Sequence, residues 1–431
     1  MLVLLPHQLF DPKYFPKEEK EITLYEHPQY FTKYNFNKKK LILHRASMKE
    51  YEDMLKKKKY NVKYLEYSDK FTLKKGSFTI FNTIDKINIS DKAKEVLESP
   101  NFLLTMDNYA VLRKKSDKFF FNSFYMNGKK MIDIIPTVKS QDKQNRQKMP
   151  KTLEVPSLPK MKEDKYIKEA IGYVEKNFGG NYGNVDNFMY PTNHKEARVF
   201  LKHFIEKRFD KFGPYQDFMM QGKDFMFHSC LSSSINIGLL NPLEIIEEIR
   251  GLEKKIPLNS YEGYIRQLFW REYQRYTYLF CDFSENYFGN KKKLGKEWYT
   301  GETGCDPVDY AIKTGFDTGY LHHIYRLMVV GNYMNLCEIS PMEGLKWFME
   351  FSCDSYEWVM YQNVLDMVFF VTGGKTMRKP YASSSNYVLK MSDYKPGEWS
   401  EKWNEYYQKF MKKNKDKLWK FRYHFPGLSK M

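Results

Sequence analysis

The chain has 431 residues, with 70 Lys and Arg against 53 Asp and Glu, a formal net charge of +17; 42% of the residues are hydrophobic and 17% aromatic. That apolar content excludes a disordered basic tail, and the lack of any run of about 18 uncharged apolar residues excludes a transmembrane helix. The positive surplus points to a polyanionic partner, nucleic acid or an anionic surface, and the length to roughly two or three domains.

The apolar opening stops at Pro6, too short for a secretory core, so Leu2–Leu5 reads as a buried strand. Leu41–Leu43 reads as a second strand, followed by a helix in which Met48, Tyr51 and Leu55 fall at helical spacing. Val62–Leu65 and Phe78–Phe81 are further strands. Asp91–Leu97 reads as a helix capped by Ser90 or Asp91, and Asn101–Thr105 as a strand. This alternation predicts a parallel α/β domain over residues 1–135. Residues 136–192 are Lys-rich and punctuated by Pro136, Pro150, Pro156 and Pro159, which reads as a basic linker without a core element of its own. From 193 to 431 the pattern is helical, with helices expected over Lys195–Phe209, Pro242–Lys254, Tyr261–Phe280, Tyr320–Cys337 and Pro341–Phe351. No repeat is evident.

Three segments carry candidate chemistry, each beside a plainer structural reading. In HSCLSSSINIGLL (228–240) the hydroxyls of Ser229, Ser232, Ser233 and Ser234 suit a phosphate or pyrophosphate, or simply cap a helix. In the 260–280 segment Tyr264, Leu268, Arg271 and Arg275 form a mixed aromatic and basic face beside Trp270. That mixture suits base stacking and phosphate neutralisation, or a core-facing stripe. In GYLHHIYRLMVVGNYMN (319–335) His322, His323 and Arg326 interrupt an apolar helix and need partners; Asp354 is a mate for Arg326. Two adjacent helical histidines face different ways, which argues against a paired metal site, and no metal is assigned. The five cysteines, at 230, 281, 305, 337 and 353, lack CxxC spacing and read as free thiols of an intracellular protein.

Taken in order, LLPHQLF (4–10), LILHRASMKEYEDML (41–55), RFDKFGPYQDFM (208–219), HSCLSSSINIGLLNP (228–242), EGYIRQLFWREY (262–273), GYLHHIYRLMVVGNYM (319–334), DSYEWVMYQN (354–363), KPYASSSNYVLKMSDYKPGEW (379–399) and WNEYYQKF (403–410) resemble the cryptochrome/photolyase flavoproteins. The resemblance is to their deoxyribodipyrimidine photolyase-related branch. It implies a Rossmann-like α/β N-terminal domain able to hold an antenna chromophore, and a large all-α domain holding FAD. It assigns Ser229, Leu231, Ser232 and Asn236, with Tyr215 as a candidate, to the flavin phosphate and ribityl region. Arg326 and Asp354 look like the ion pair beside the flavin ring, and Asn363 like the side chain near its N5. Trp270 and Met328 look like lesion-pocket residues, and His322 and His323 like pocket histidines that move a proton to the lesion.

The activity implied is light-driven repair of (6-4) or cyclobutane pyrimidine dimers in double-stranded DNA by a monomer. The alternatives are a blue-light photoreceptor of cryptochrome type and a degenerate DNA-binding or structural protein. Arg271, Arg275 and Lys390 are the expected phosphate contacts, and Trp347, Trp358, Tyr356 and Tyr361 the candidate electron relay. Relatives with a [4Fe–4S] cluster carry four ligand cysteines that cannot be assembled here, so no cluster is expected. Other departures are Thr372 where an acid is common, NVLDM for a Tyr-Gly version and ASSSNY for a glycine-containing one. The Lys-, Asn- and Tyr-rich composition hints at an AT-rich genome; a viral source, with the protein carried in the particle, is one placement this allows.

Overall fold

The computed structural model describes residues 1–69, 71–115, 119–132, 141–150, 152–425 and 427–428. The first third builds a five-stranded parallel sheet, ordered β3-β2-β1-β4-β5. Its strands are β1 (Leu2–Leu4), β2 (Glu21–Tyr25), β3 (Asn61–Leu65), β4 (Thr79–Phe81) and β5 (Glu95–Leu97). All three residues of β1 are buried, as a central parallel strand covered on both faces requires.

Several expectations need correction. Leu41–Leu43 is no strand; it lies inside the helix Lys38–Lys57, whose N-cap Asn37 accepts a hydrogen bond from Lys39 N at 2.9 Å. The apolar triplet misleads because this helix is buried nearly all round. β2 went unread, since five residues with charged flanks give little periodicity. The helix expected at Asp91–Leu97 is a 3-10 turn, Ser90–Lys92, followed by β5, an edge strand too exposed to show an apolar run. Asn101–Thr105 pairs with no strand among the described residues. The N–H groups of Leu103 and Leu104 donate instead to the buried Glu272 carboxylate at 3.0 and 3.1 Å.

The basic 136–192 segment contains a core element after all. Asp164 caps the helix Lys165–Phe178, accepting from the N–H groups of Tyr166 and Ile167. Its buried face is Ile167, Ala170, Val174 and Phe178, at helical spacing, and it packs on Lys38–Lys57. Arg45 ties the two together, pairing with Glu26 at 2.9 Å and Glu169 at 2.6 Å. The boundary expected at 135–136, and Lys139 and Lys151 of the basic run, lie outside the described residues.

The remainder is helical. Lys195–Phe209 resolves into His194–Lys207 followed by Phe209–Tyr215; Pro242–Ile249 is shorter than expected, Leu258–Phe280 slightly longer, and Pro341–Phe351 as expected. The helix expected from Tyr320 begins at His323 and runs as a π-helix over Tyr325–Gly331, then as an α-helix over Asn332–Leu336. A second π-helix spans Tyr361–Val368. Sheet and helices share one continuous core. Across their junction His44 Nε2 lies 3.0 Å from Tyr356 Oη, and Trp358 N donates to Asp85 Oδ1 at 3.0 Å. Among the described residues, no helix is long and apolar enough to cross a membrane.

Candidate functional site

A cavity of about 950 Å³ opens into the helical part, at the upper end of the usual range for small-molecule sites. Three stretches of chain build its floor. The loop before the short helix Ser232–Asn236 supplies Ser229, Leu231 and Ser232; Cys230 there holds a left-handed φ of 55°, uncommon for a side chain with a Cβ. The two π-helices supply Arg326 and Met328, and Asn363. Such wide turns recur at functional sites.

The polar floor centres on Asp354. Arg326 grips it with two bonds, Nη1 to Oδ1 at 2.9 Å and Nη2 to Oδ2 at 3.2 Å. Ser232 Oγ donates to Oδ2 at 2.6 Å, and Ser352 Oγ also donates. Burial opposes the charge on Asp354, but Arg326 and the two hydroxyls outweigh it and hold the carboxyl below its ordinary range. Burial likewise opposes the charge on Arg326, and Asp354 more than restores it. Nearby, Gln274 Nε2 donates to Asn363 Oδ1 at 3.0 Å, fixing that amide.

The opposite wall is aromatic and imidazole-rich. Trp270 stacks on Phe121 with ring centroids 3.8 Å apart and planes 7° from parallel. Phe121 and Asn122, from the first third of the chain, thus line the cavity although nothing in the sequence marked them. His228 and His322 are buried and stacked at 4.9 Å. Burial, with the neighbouring His323, lowers the His228 pKa to about 3 and that of His322 well below 6.5, so both rings are neutral near pH 7. His323 is exposed and its Nε2 lies 3.1 Å from Asp217 Oδ1, with Arg146 on the other oxygen. Arg146, Arg266 and Lys379 give the cavity a basic border.

Of the expected site residues, Ser229, Leu231, Ser232, Trp270, His322, His323, Met328, Arg326, Asp354 and Asn363 line this one cavity. Two do not. Asn236 sits behind Asp354, donating to its carbonyl at 2.9 Å and accepting from Arg271 Nε. Tyr215 packs on Phe227 in a small separate cluster. Neither is in the cavity lining. His228 is the main omission: the first residue of a motif read for its serines, brought to His322 only by the fold. The argument from opposed helix faces fails as well, because His322 precedes the helix.

Arg271 and Arg275 are not phosphate contacts. Arg271 donates to Asn101 O at 2.6 Å and lies under Phe102 and Trp358. The Arg275 side chain is 0% exposed and pairs with Glu98. The Leu258–Phe280 helix is enclosed on nearly every side, so its arginines serve the core; Lys390 is exposed. Trp347, Tyr356, Trp358 and Tyr361 pack outside the cavity wall. Thr372 donates through N and Oγ1 to the buried Asp366, away from the cavity, whereas Ala382 and Ser383 of ASSSNY line it. The five cysteines are free thiols.

A flavin dinucleotide suits this lining. The hydroxyls of Ser229 and Ser232 and the Arg326 cation answer its polar and anionic parts, the apolar Leu231, Phe348 and Met360 its ring, and both His322 nitrogens are buried without a hydrogen-bond partner among the described residues.

Residues 2–190 match the family model of deoxyribodipyrimidine photo-lyase-related proteins, and residues 264–424 that of the FAD-binding domain of DNA photolyase. A (6-4) photolyase of Agrobacterium fabrum is 36% identical over 293 residues, covering 64% of this chain and 58% of that protein. The chain thus spans somewhat over half of that relative's length. A protein of Acanthamoeba polyphaga mimivirus is 53% identical over 92 residues, which make up 21% of this chain and 75% of that one. The crystal structure of a bacterial class III photolyase from Agrobacterium tumefaciens shares the fold, with a TM-score of 0.58 at 14% identity, covering 95% of this chain and 86% of that one. An archaeal photolyase from Sulfolobus tokodaii, solved with two FAD molecules, aligns with a TM-score of 0.55 at 14% identity over 84% of this chain and 81% of that one. An α/β domain on a parallel sheet, an all-α domain of the FAD-binding type and the motifs that run through both make this chain a member of the cryptochrome/photolyase family.

Proposed function

We propose that the chain is a light-dependent DNA-repair lyase that splits UV-induced pyrimidine dimers, the (6-4) photoproduct foremost. The observation that carries this is the joining, in one 950 Å³ cavity, of the Arg326–Asp354 floor with a wall of stacked aromatics and histidines. Reduced FAD, held on that floor, would supply the light-driven electron transfer that splitting such a lesion requires. Arg326, locked by Asp354, presents a fixed positive charge to an anionic ring without reorganising. Trp270 and Phe121 offer a flat apolar face to a dinucleotide turned out of the duplex. His323, oriented by Asp217, presents an imidazole at the cavity surface where it can exchange a proton with the lesion, and the buried, neutral His322 lies beside it. Arg146, Arg266 and Lys379 meet phosphates at the border.

The α/β part, completed by Lys165–Phe178, is the antenna-type domain in this reading, and the helices from His194 onward are the FAD domain. Support for an antenna chromophore lies where the strand order reverses, between β1 and β4, the usual ligand position of such sheets. There, among the described residues, His7 Nδ1 and Tyr30 Oη are buried without a hydrogen-bond partner. The mimivirus relative supports a viral source.

The test is a flavin absorption spectrum of the purified protein, then illumination with oligonucleotides carrying either lesion. Retained flavin with light-dependent loss of the (6-4) lesion is expected. Flavin without repair of either lesion favours the photoreceptor, and DNA binding without flavin the degenerate protein.

A further inference from the structure

We propose that His228, His322 and His323 form a binding site for one divalent cation of the zinc class in the wall of the cavity. One ring nitrogen from each comes within 4.8 Å of those of the other two. Two of the three rings are deep in the protein: His322 is 2% and His228 8% exposed. Among the described residues, both nitrogens of His322, and Nε2 of His228, have no hydrogen-bond partner. Buried imidazole nitrogens are costly when left unpaired, and two rings that carry them, drawn together with a third at the cavity surface, are best satisfied by a shared electrophile. A cation of this class binds imidazole readily.

The surroundings suit such an ion. His323 places Nε2 against Asp217 at 3.1 Å, the carboxylate–imidazole contact that typically orients a metal-binding histidine and leaves Nδ1 to bind. In a tetrahedral site with bonds of about 2.0–2.1 Å the donors stand about 3.3 Å apart, so the rings must close by roughly 1.5 Å. His323, with its side chain 44% exposed, has room to turn inward. Three histidines with the fourth position open to a cavity are a recurrent zinc arrangement. His424 and Cys230 also line the cavity, but among the described residues neither converges with these three nitrogens, so the open position takes water or a ligand in the cavity.

A bound cation occupies the lone pairs that proton transfer to a lesion would need, which makes the site an off-switch for the proposed repair. That consequence rests on the repair reading; cation binding does not, so a failure of either is distinguishable from a failure of the other.

The experiment uses untagged, flavin-loaded protein stripped with a chelator and titrated with Co²⁺, then Zn²⁺. One ion per chain is expected, with tetrahedral Co²⁺ bands to the red of the oxidised flavin that Zn²⁺ displaces. His323→Ala, at an exposed position and so least able to disturb folding, should weaken binding at least tenfold, and Asp217→Asn about 10–100-fold. His228→Gln, checked for folding by circular dichroism, should abolish the Co²⁺ bands. Binding that is absent in the wild type, or equal in the wild type and His323→Ala, overturns the proposal.

Discussion

Asp354 accepts from four donor atoms of three residues, Arg326, Ser232 and Ser352. Its partner is about as enclosed, with side-chain exposures of 17% for Arg326 and 13% for Asp354. Removing one member of such a pair strands the other charge in a poorly solvated place. Asp354→Asn, which keeps shape and volume, should therefore lower stability by about 3–5 kcal/mol in urea unfolding and release flavin with it. Because the native carboxyl pKa is depressed, this contribution is complete above the ordinary carboxylate range and is lost as pH falls through the native value. At this scale the ion pair was legible, since a buried-looking Arg must find an acid. His228 was not, because nothing local distinguishes a histidine before a serine cluster from any other. Nor was the burial of Arg271 and Arg275: an arginine is read as solvent-facing until the packing of Phe102, Tyr109 and Trp358 around it is known.

Among the elements, the helix Lys165–Phe178 carries the clearest consequence. If the segment were a linker, truncating Ile167 would cost nothing. With Ile167 at 1% exposure against Lys38–Lys57, Ile167→Ala should cost about 2–5 kcal/mol, measured by chemical denaturation. The periodicity of 167, 170, 174 and 178 was present in the sequence but masked by its lysines and prolines. The two π-helices were not visible at all, because their extra residue per turn is set by packing around the cavity. The short strands behaved similarly. β5 looks helical in isolation, and only its pairing with β4 through Ile80 and Val96 makes it a strand.

At the scale of the whole molecule, the seam between sheet and helices holds His7 and His44, both buried and with pKa values pushed down by that burial, His7 to about 3. Unfolded, a histidine titrates near 6.5, so the stability from keeping these rings neutral is complete above that pH and declines on acidification. Asp85 in the same seam is pushed up by burial to about 7 and acts in the opposite sense. Between pH 6.5 and 4 the wild type should lose about 1.4 kcal/mol per pH unit more than His7→Gln, read from denaturation midpoints across pH. An unchanged difference across that range would remove His7 from the seam's pH response. By itself the sequence determined the family, the α/β beginning and helical remainder, and ten of the residues that line the cavity, because those follow from motif order, hydropathy period and side-chain chemistry along the chain. The tertiary structure alone decided which arginines are core and which histidines meet, and that Phe121 closes over Trp270. Burial and convergence depend on distances between residues far apart in sequence, and no local pattern carries them.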